Sequence, residues 1–157
     1  MMKANLRIYS KDNIEVLGFG FQDIKLLLTM QAHWVHTAAI AEIKALTGAE
    51  VWATPNDARI LEDGGFGAPH FGGRQSFEPL TVDRRITQGD IITLGDLRME
   101  VHEHPGHTEG SSSYMFNVRE RGRDYVVGVI NMGKIKSGKR LVVELTYENV
   151  ASDFAST

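Results

Sequence analysis

At 157 residues, with 42% hydrophobic and 24% charged side chains, the chain has the size and composition of one ordinary globular domain spanning residues 1–157. A formal net charge of −3 and a pI near 6.1, with Lys and Arg scattered among acids, leave no electrostatic footprint for nucleic acid or an anionic membrane, so neither is expected as a partner. The absence of cysteine removes disulfides, thiolate ligands and cysteine nucleophiles, and any metal would need His, carboxylate or amide donors.

Charges at Lys3, Arg7, Lys11 and Asp12 interrupt the N-terminal stretch, which therefore reads as neither a signal peptide nor a membrane span; a soluble chain is expected, its compartment left open. Residues 5–17 are weakly helical, and Gly18-Phe19-Gly20 leads into an apolar strand at 24–30. Ile40, Ile43 and Leu46 fall on one helical face that stops at Gly48. A strand at 50–53 follows. Thr54-Pro55-Asn56-Asp57 then reads as cap, first-turn proline and capping acid of a short helix ending at Gly64-Gly65, giving a second βα unit. The glycine-rich stretch GGFGAPHFGGRQSFEP, residues 64–79, is too long and irregular for a plain connection, and loops of that kind often cover sites. From there the pattern turns to strands at 82–86, 91–94, 97–102, 112–118 and 125–131, separated by turns at 88–90, 95–96 and 121–124. Residues 147–154 look like the start of a helix.

Two motifs compete for a chemical reading. Residues 133–140, GKIKSGKR, have the spacing of a phosphate-binding loop, yet Arg140 stands where a hydroxyl should meet Mg²⁺, and the strand-like Leu141 to Leu145 follows where a helix N-terminus is needed. A basic surface loop is the better reading. The second motif is the histidines. His33 and His36 in QAHWVH, and His102, His104 and His107 in HEHPGHT, fall at the C-terminal ends of two apolar strands, where loops can aim side chains into a ligand site. A metal is about as well supported there as ordinary surface histidines. His70 in the glycine-rich loop reads as solvated, Trp34 as packed under its loop, and Ser111, Ser112 and Ser113 as strand entry with no base nearby to activate them.

At these residues the chain resembles the metallo-β-lactamase fold superfamily and, within it, the subclass B3 metallo-β-lactamases, in particular the GOB type. The family's first signature is His-x-His-x-Asp-His, with Gln for the first His in the GOB type; QAHWVH supplies Gln31, His33 and His36. Its second signature, Pro-Gly-His-Thr-x-Gly, is met by Pro105, Gly106, His107, Thr108 and Gly110, and Leu61-Glu62-Asp63-Gly64-Gly65 and Asn131-Met132 match the same subclass. The resemblance implies an α/β fold, an αββα sandwich that is incomplete here and completed by oligomerisation, in the first instance as a homodimer. It implies zinc as cofactor, one ion rather than two, with an empty site as the alternative, and water activated on the metal for cleavage of a β-lactam amide. By this resemblance Gln31, His33 and His107 would form one metal site and His36 the remnant of a second.

The departures weaken that activity. Val35 holds the position of the family's metal-binding Asp, and an isopropyl group can neither ligate a cation nor orient a water. The likeness also ends at Asp153-Phe154, before the segment that carries the family's last His ligand. Three readings follow: a zinc-dependent β-lactam hydrolase of weakened activity, an inactive zinc-binding or interaction module of the same fold, and a hydrolase of another ester or amide. The family is usually periplasmic.

Overall fold

The protein is described from a computed structural model, which places residues 11–68, 73–131 and 148–156. The phosphate-loop-like stretch 133–140, the strand-like run that follows it and His70 lie outside these residues, as do the first ten.

Two sheets and a layer of helices make up the described chain. The first sheet is parallel, in the order β1 (Leu26–Leu28), β2 (Glu50–Ala53), β3 (Arg84–Arg85). Parallel neighbours need long crossovers. These are supplied by α3 (Ile40–Thr47) and by α4 (Pro55–Glu62) with the loop after it. Ahead of β1, residues 11–16 form the described part of helix α1, held by a Lys11–Glu15 pair one turn apart, and a 3₁₀ turn covers Phe21–Asp23. Gly48 ends α3 in the left-handed region, φ 71°, donating to the Lys44 carbonyl at 2.8 Å, as its place after the apolar face predicts.

The second sheet is antiparallel, in the order β4 (Ile91–Leu94), β5 (Leu97–Glu103), β6 (Ser112–Glu120), β7 (Arg123–Val129). Every join in it is local, so the turns and the alternation read from sequence return nearly intact. The first sheet is less regular than expected. The strand predicted at 24–30 keeps three residues, and that at 82–86 keeps two, because an edge strand of a parallel sheet has a single partner to define it. Helix α5 (Val150–Ser156) begins where the sequence suggests.

Alternation along the first sheet sorts its side chains into two cores. Leu27, Val51 and Ala53 face Ile40 of α3 and Ala58, Ile60 and Leu61 of α4, while Leu26, Leu28 and Trp52 face the second sheet and meet Met99, Val101 and Tyr114. Val51, Leu61 and Val101 are wholly buried, and burial of each stabilises the fold by about 1.5–3 kcal/mol. The layers are therefore helix, sheet, sheet. Asp83 fastens β2 to the start of β3: its carboxylate takes the Val51 amide at 2.7 Å and the Lys44 ammonium, and the lysine, above all, holds it below the usual carboxylate range.

Three bonds dock the sheets at their shared edge. The Met30 carbonyl accepts both the Ser112 amide and the Asn131 side-chain amide, each at 2.9 Å, and the Tyr114 hydroxyl donates to the Thr29 carbonyl at 2.9 Å. This edge is where both histidine loops emerge.

Candidate metal centre

The first loop leaves β1 and turns at once into α2 (Trp34–Thr37), a four-residue helix that the strand-like reading of its surroundings did not foresee. Its geometry comes from one acceptor. The His33 carbonyl takes the amides of His36 and Thr37 and the Thr37 hydroxyl, at 2.9, 3.1 and 2.9 Å. That convergence fixes the backbone at His33 and winds the next residues into a single helical turn that leaves Val35 and His36 on its outer side. Gln31 and His33 are buried, Trp34 packs against the helix-side core as expected, and Val35 stands 64% exposed.

The second loop joins β5 to β6 and is closed by its own polar atoms. The Thr108 amide donates to Ser111 Oγ at 2.9 Å, the Ser111 amide returns to the Thr108 carbonyl at 3.3 Å, and the His104 amide reaches the Ser111 carbonyl at 2.7 Å. Ser111, Ser112 and Ser113 are buried strand-entry residues, in agreement with the sequence.

Together the loops set the rings of His33 and His107 edge to face, with centroids 4.9 Å apart and planes at 78°. His36 stands within electrostatic reach of His107: burial first, and the His107 charge second, lower its pKa. It lines an open cleft of about 620 Å³ between the sheets, whose other walls are Leu28, Thr29, Met30, Met99, Tyr114 and Val129. Burial and then the neighbouring His102 lower the pKa of His104, and His102 Nε2 is 3.7 Å from Glu100. Gln31 Oε1 is buried with no hydrogen-bond partner. Among the described residues, no group of three or more His, Cys, Asp or Glu side chains is placed to hold a metal ion.

Solved structures with the same arrangement are metallo-β-lactamases. A class B3 di-zinc enzyme from an Alaskan soil metagenome superposes with a TM-score of 0.89 at 42% identity over 94% of this chain and 56% of its own. The metallo-β-lactamase GOB-18 of Elizabethkingia meningoseptica gives 0.89 at 36% identity over 94% and 55%, and FEZ-1 of Legionella gormanii gives 0.93 at 30% over 98% and 59%. The described chain has the metallo-β-lactamase fold. It spans little more than half of these structures. Among curated relatives, the hydroxyacylglutathione hydrolase of Rhodospirillum rubrum is 31% identical over 102 residues, which is 65% of this chain and 32% of that protein. No family model matches the chain.

Within this superfamily fold, the sequence reading missed how the second loop is held. Thr54 stands at the N-cap of α4 with Pro55 after it, as expected, but the cap has no side-chain hydrogen bond. The Thr54 hydroxyl donates instead to the Gly110 carbonyl at 2.7 Å, and Asp57 Oδ1 accepts the Thr108 hydroxyl at 3.2 Å. Asn56 donates to the Glu109 carbonyl at 3.2 Å, and Arg59 pairs with the Glu109 carboxylate at 2.9 Å. Gly110 is required by contact, since a Cβ there would sit 2.5 Å from the Asp57 amide nitrogen, Asp57 Oδ1 and Thr54 Oγ1. Asp57 is wholly enclosed, and burial raises its pKa to about 7 against the lowering effect of the Thr108 hydroxyl and the Ala32 amide. The available signal was the second signature itself, whose Thr108 bonds Ser111 within the loop and still reaches Asp57, 51 residues earlier.

Proposed function

We propose that the chain is a single-metal hydrolase of the metallo-β-lactamase type, with Gln31, His33 and His107 holding one zinc ion. The observation that carries this is the edge-to-face approach of His33 and His107 from two separate loops; Gln31, two residues before His33, has a buried amide oxygen with no hydrogen-bond partner. Two imidazoles and one amide oxygen fit a single zinc ion, with weaker affinity than three imidazoles would give. A second ion is not supported: Val35 has no donor atom and points into solvent. Bound zinc would supply Lewis acidity and a water activated near neutral pH. The chain's own residues hold its place, and the apolar wall of the adjoining cleft, Leu28, Met30 and Val129, suits the non-polar part of an amide or ester substrate.

The B3 structures favour a β-lactam amide as substrate, with activity weakened by the missing Asp. A second reading, hydrolysis of a hydroxyacylglutathione thioester, is favoured by the curated relatives. Zinc titration of the metal-free chain, followed by turnover of nitrocefin and of a hydroxyacylglutathione on the same preparation, tests both. One ion per chain is expected, with slow nitrocefin cleavage, and His33→Ala should weaken zinc binding by about a hundredfold, roughly 2.7 kcal/mol. Zinc uptake without turnover of either compound leaves the inactive binding module as the reading. No zinc uptake at all removes the metal centre.

The oligomer belongs to the same proposal. Val126, Leu94 and Ile91 of the second sheet are 71%, 47% and 41% exposed, and Ile130, just past β7, is 49% exposed. An open apolar sheet favours association with a second copy, so light scattering should return a dimer mass; a monomer at all concentrations would refute that.

A further inference from the structure

We propose that Asp57 is a positioning residue that sets the spacing of the two histidine loops, although it lies on α4 and belongs to neither of them. Its carboxylate accepts the hydroxyl of Thr108, the residue after His107, and the amide of Ala32, the residue before His33, acts on the same carboxylate. One buried acid thus touches the backbone neighbours of both rings. Asp57, His33, Ala32 and Thr108 also line one small pocket, and Asp57 itself is 2% exposed.

The surrounding contacts make this an anchor rather than a chance approach. The first turn of α4 is stitched to the second loop at Thr54, Asn56 and Asp57, and Gly110 has no room for a side chain against Asp57. Of these contacts, the Thr54 and Asn56 bonds reach the second loop only. Asp57 also takes the Ala32 amide. The helix could therefore be tied to the second loop without it, but the two loops would not then be tied to each other. Outer groups that orient metal-binding side chains are typically worth about 10–100-fold in metal affinity.

The inference rests on the single-metal reading, but one of its readouts needs no metal. In the metal-free chain, nuclear magnetic resonance should show a cross-relaxation signal between the His33 and His107 rings, as their 4.9 Å centroid distance requires. Asp57→Asn keeps the size but exchanges one carboxyl oxygen for an NH₂ group, which can accept from neither Thr108 nor Ala32. It is expected to lose or weaken the ring-to-ring signal while melting as one cooperative unit, and to bind zinc about 10–100 times more weakly in competition with a chromophoric chelator. Asn56→Ala, which cuts the helix-to-loop bond without touching Ala32 or Thr108, should leave both readouts unchanged. If Asp57→Asn does not fold, Thr108→Val removes the shared hydroxyl and should shift the His107 ring signals more than those of His33. A folded Asp57→Asn or Thr108→Val chain with unchanged ring signals overturns the proposal, and so does an Asn56→Ala chain with equal losses. Should the parent chain bind no zinc, the metal reading fails, and the ring-to-ring signal still decides the role of Asp57.

Discussion

Within the hexapeptide QAHWVH, the inner and outer halves of one motif have opposite fates. Gln31 and His33 are buried, 7% and 4% exposed, and His33 meets His107, whereas Val35 is 64% exposed and His36 faces an open cleft. The divide follows the His33 carbonyl, where three donors close a helical turn that leaves Val35 and His36 on its outer side. The inner half is enclosed, and Gln31 Oε1, which it leaves unmatched by hydrogen bonds, is the oxygen that the proposed metal site uses; an exposed position has no such constraint and accepts valine.

The largest effect that would sharpen this contrast is on the inner side. Asp57 keeps its proton up to about pH 7 in the folded chain but only to about 3.8 unfolded, so the folded state binds more protons between those values. The stabilisation is complete below pH 4, is lost as pH rises through 7, and amounts to about 4 kcal/mol over roughly three units. Urea unfolding of the metal-free chain from pH 4 to 8 should show that decline, and Asp57→Asn should flatten it; an equally steep decline in the variant would assign it to another group.

Gly110→Ala comes next. Three atoms 2.5 Å from the new methyl must move, two of them on Asp57, at a cost of about 1–3 kcal/mol in the same unfolding measurement. A neutral result would mean that the second loop is not fixed by α4.

On the outer half, Val35→Asp should change stability by less than about 0.5 kcal/mol, since the position is exposed. Its effect should fall on His36, whose lowered pKa rises when a carboxylate replaces the isopropyl group beside it. A His36 titration by nuclear magnetic resonance that does not move would show that the two side chains do not face one another.

The sequence made some of this legible and not the rest, for physical reasons. The strands β4 to β7 were readable because hairpin pairing is local and one face of each strand is apolar; β1 and β3 came out short because their pairing depends on residues some 24 to 32 positions away. Gln31, His33 and His107 stood out through two signatures. Asp57 did not, because a Thr-Pro-Asn-Asp run looks locally like a helix cap, while the partner that claims its carboxylate, Thr108, is 51 residues further on.

The doubly bonded Met30 carbonyl makes the docking of the two sheets observable at a single atom. The Ser112 amide that it accepts is buried and cannot exchange its proton with solvent unless the edge between the sheets parts. Its deuterium exchange rate is therefore a clock for the opening of the edge from which both histidine loops emerge.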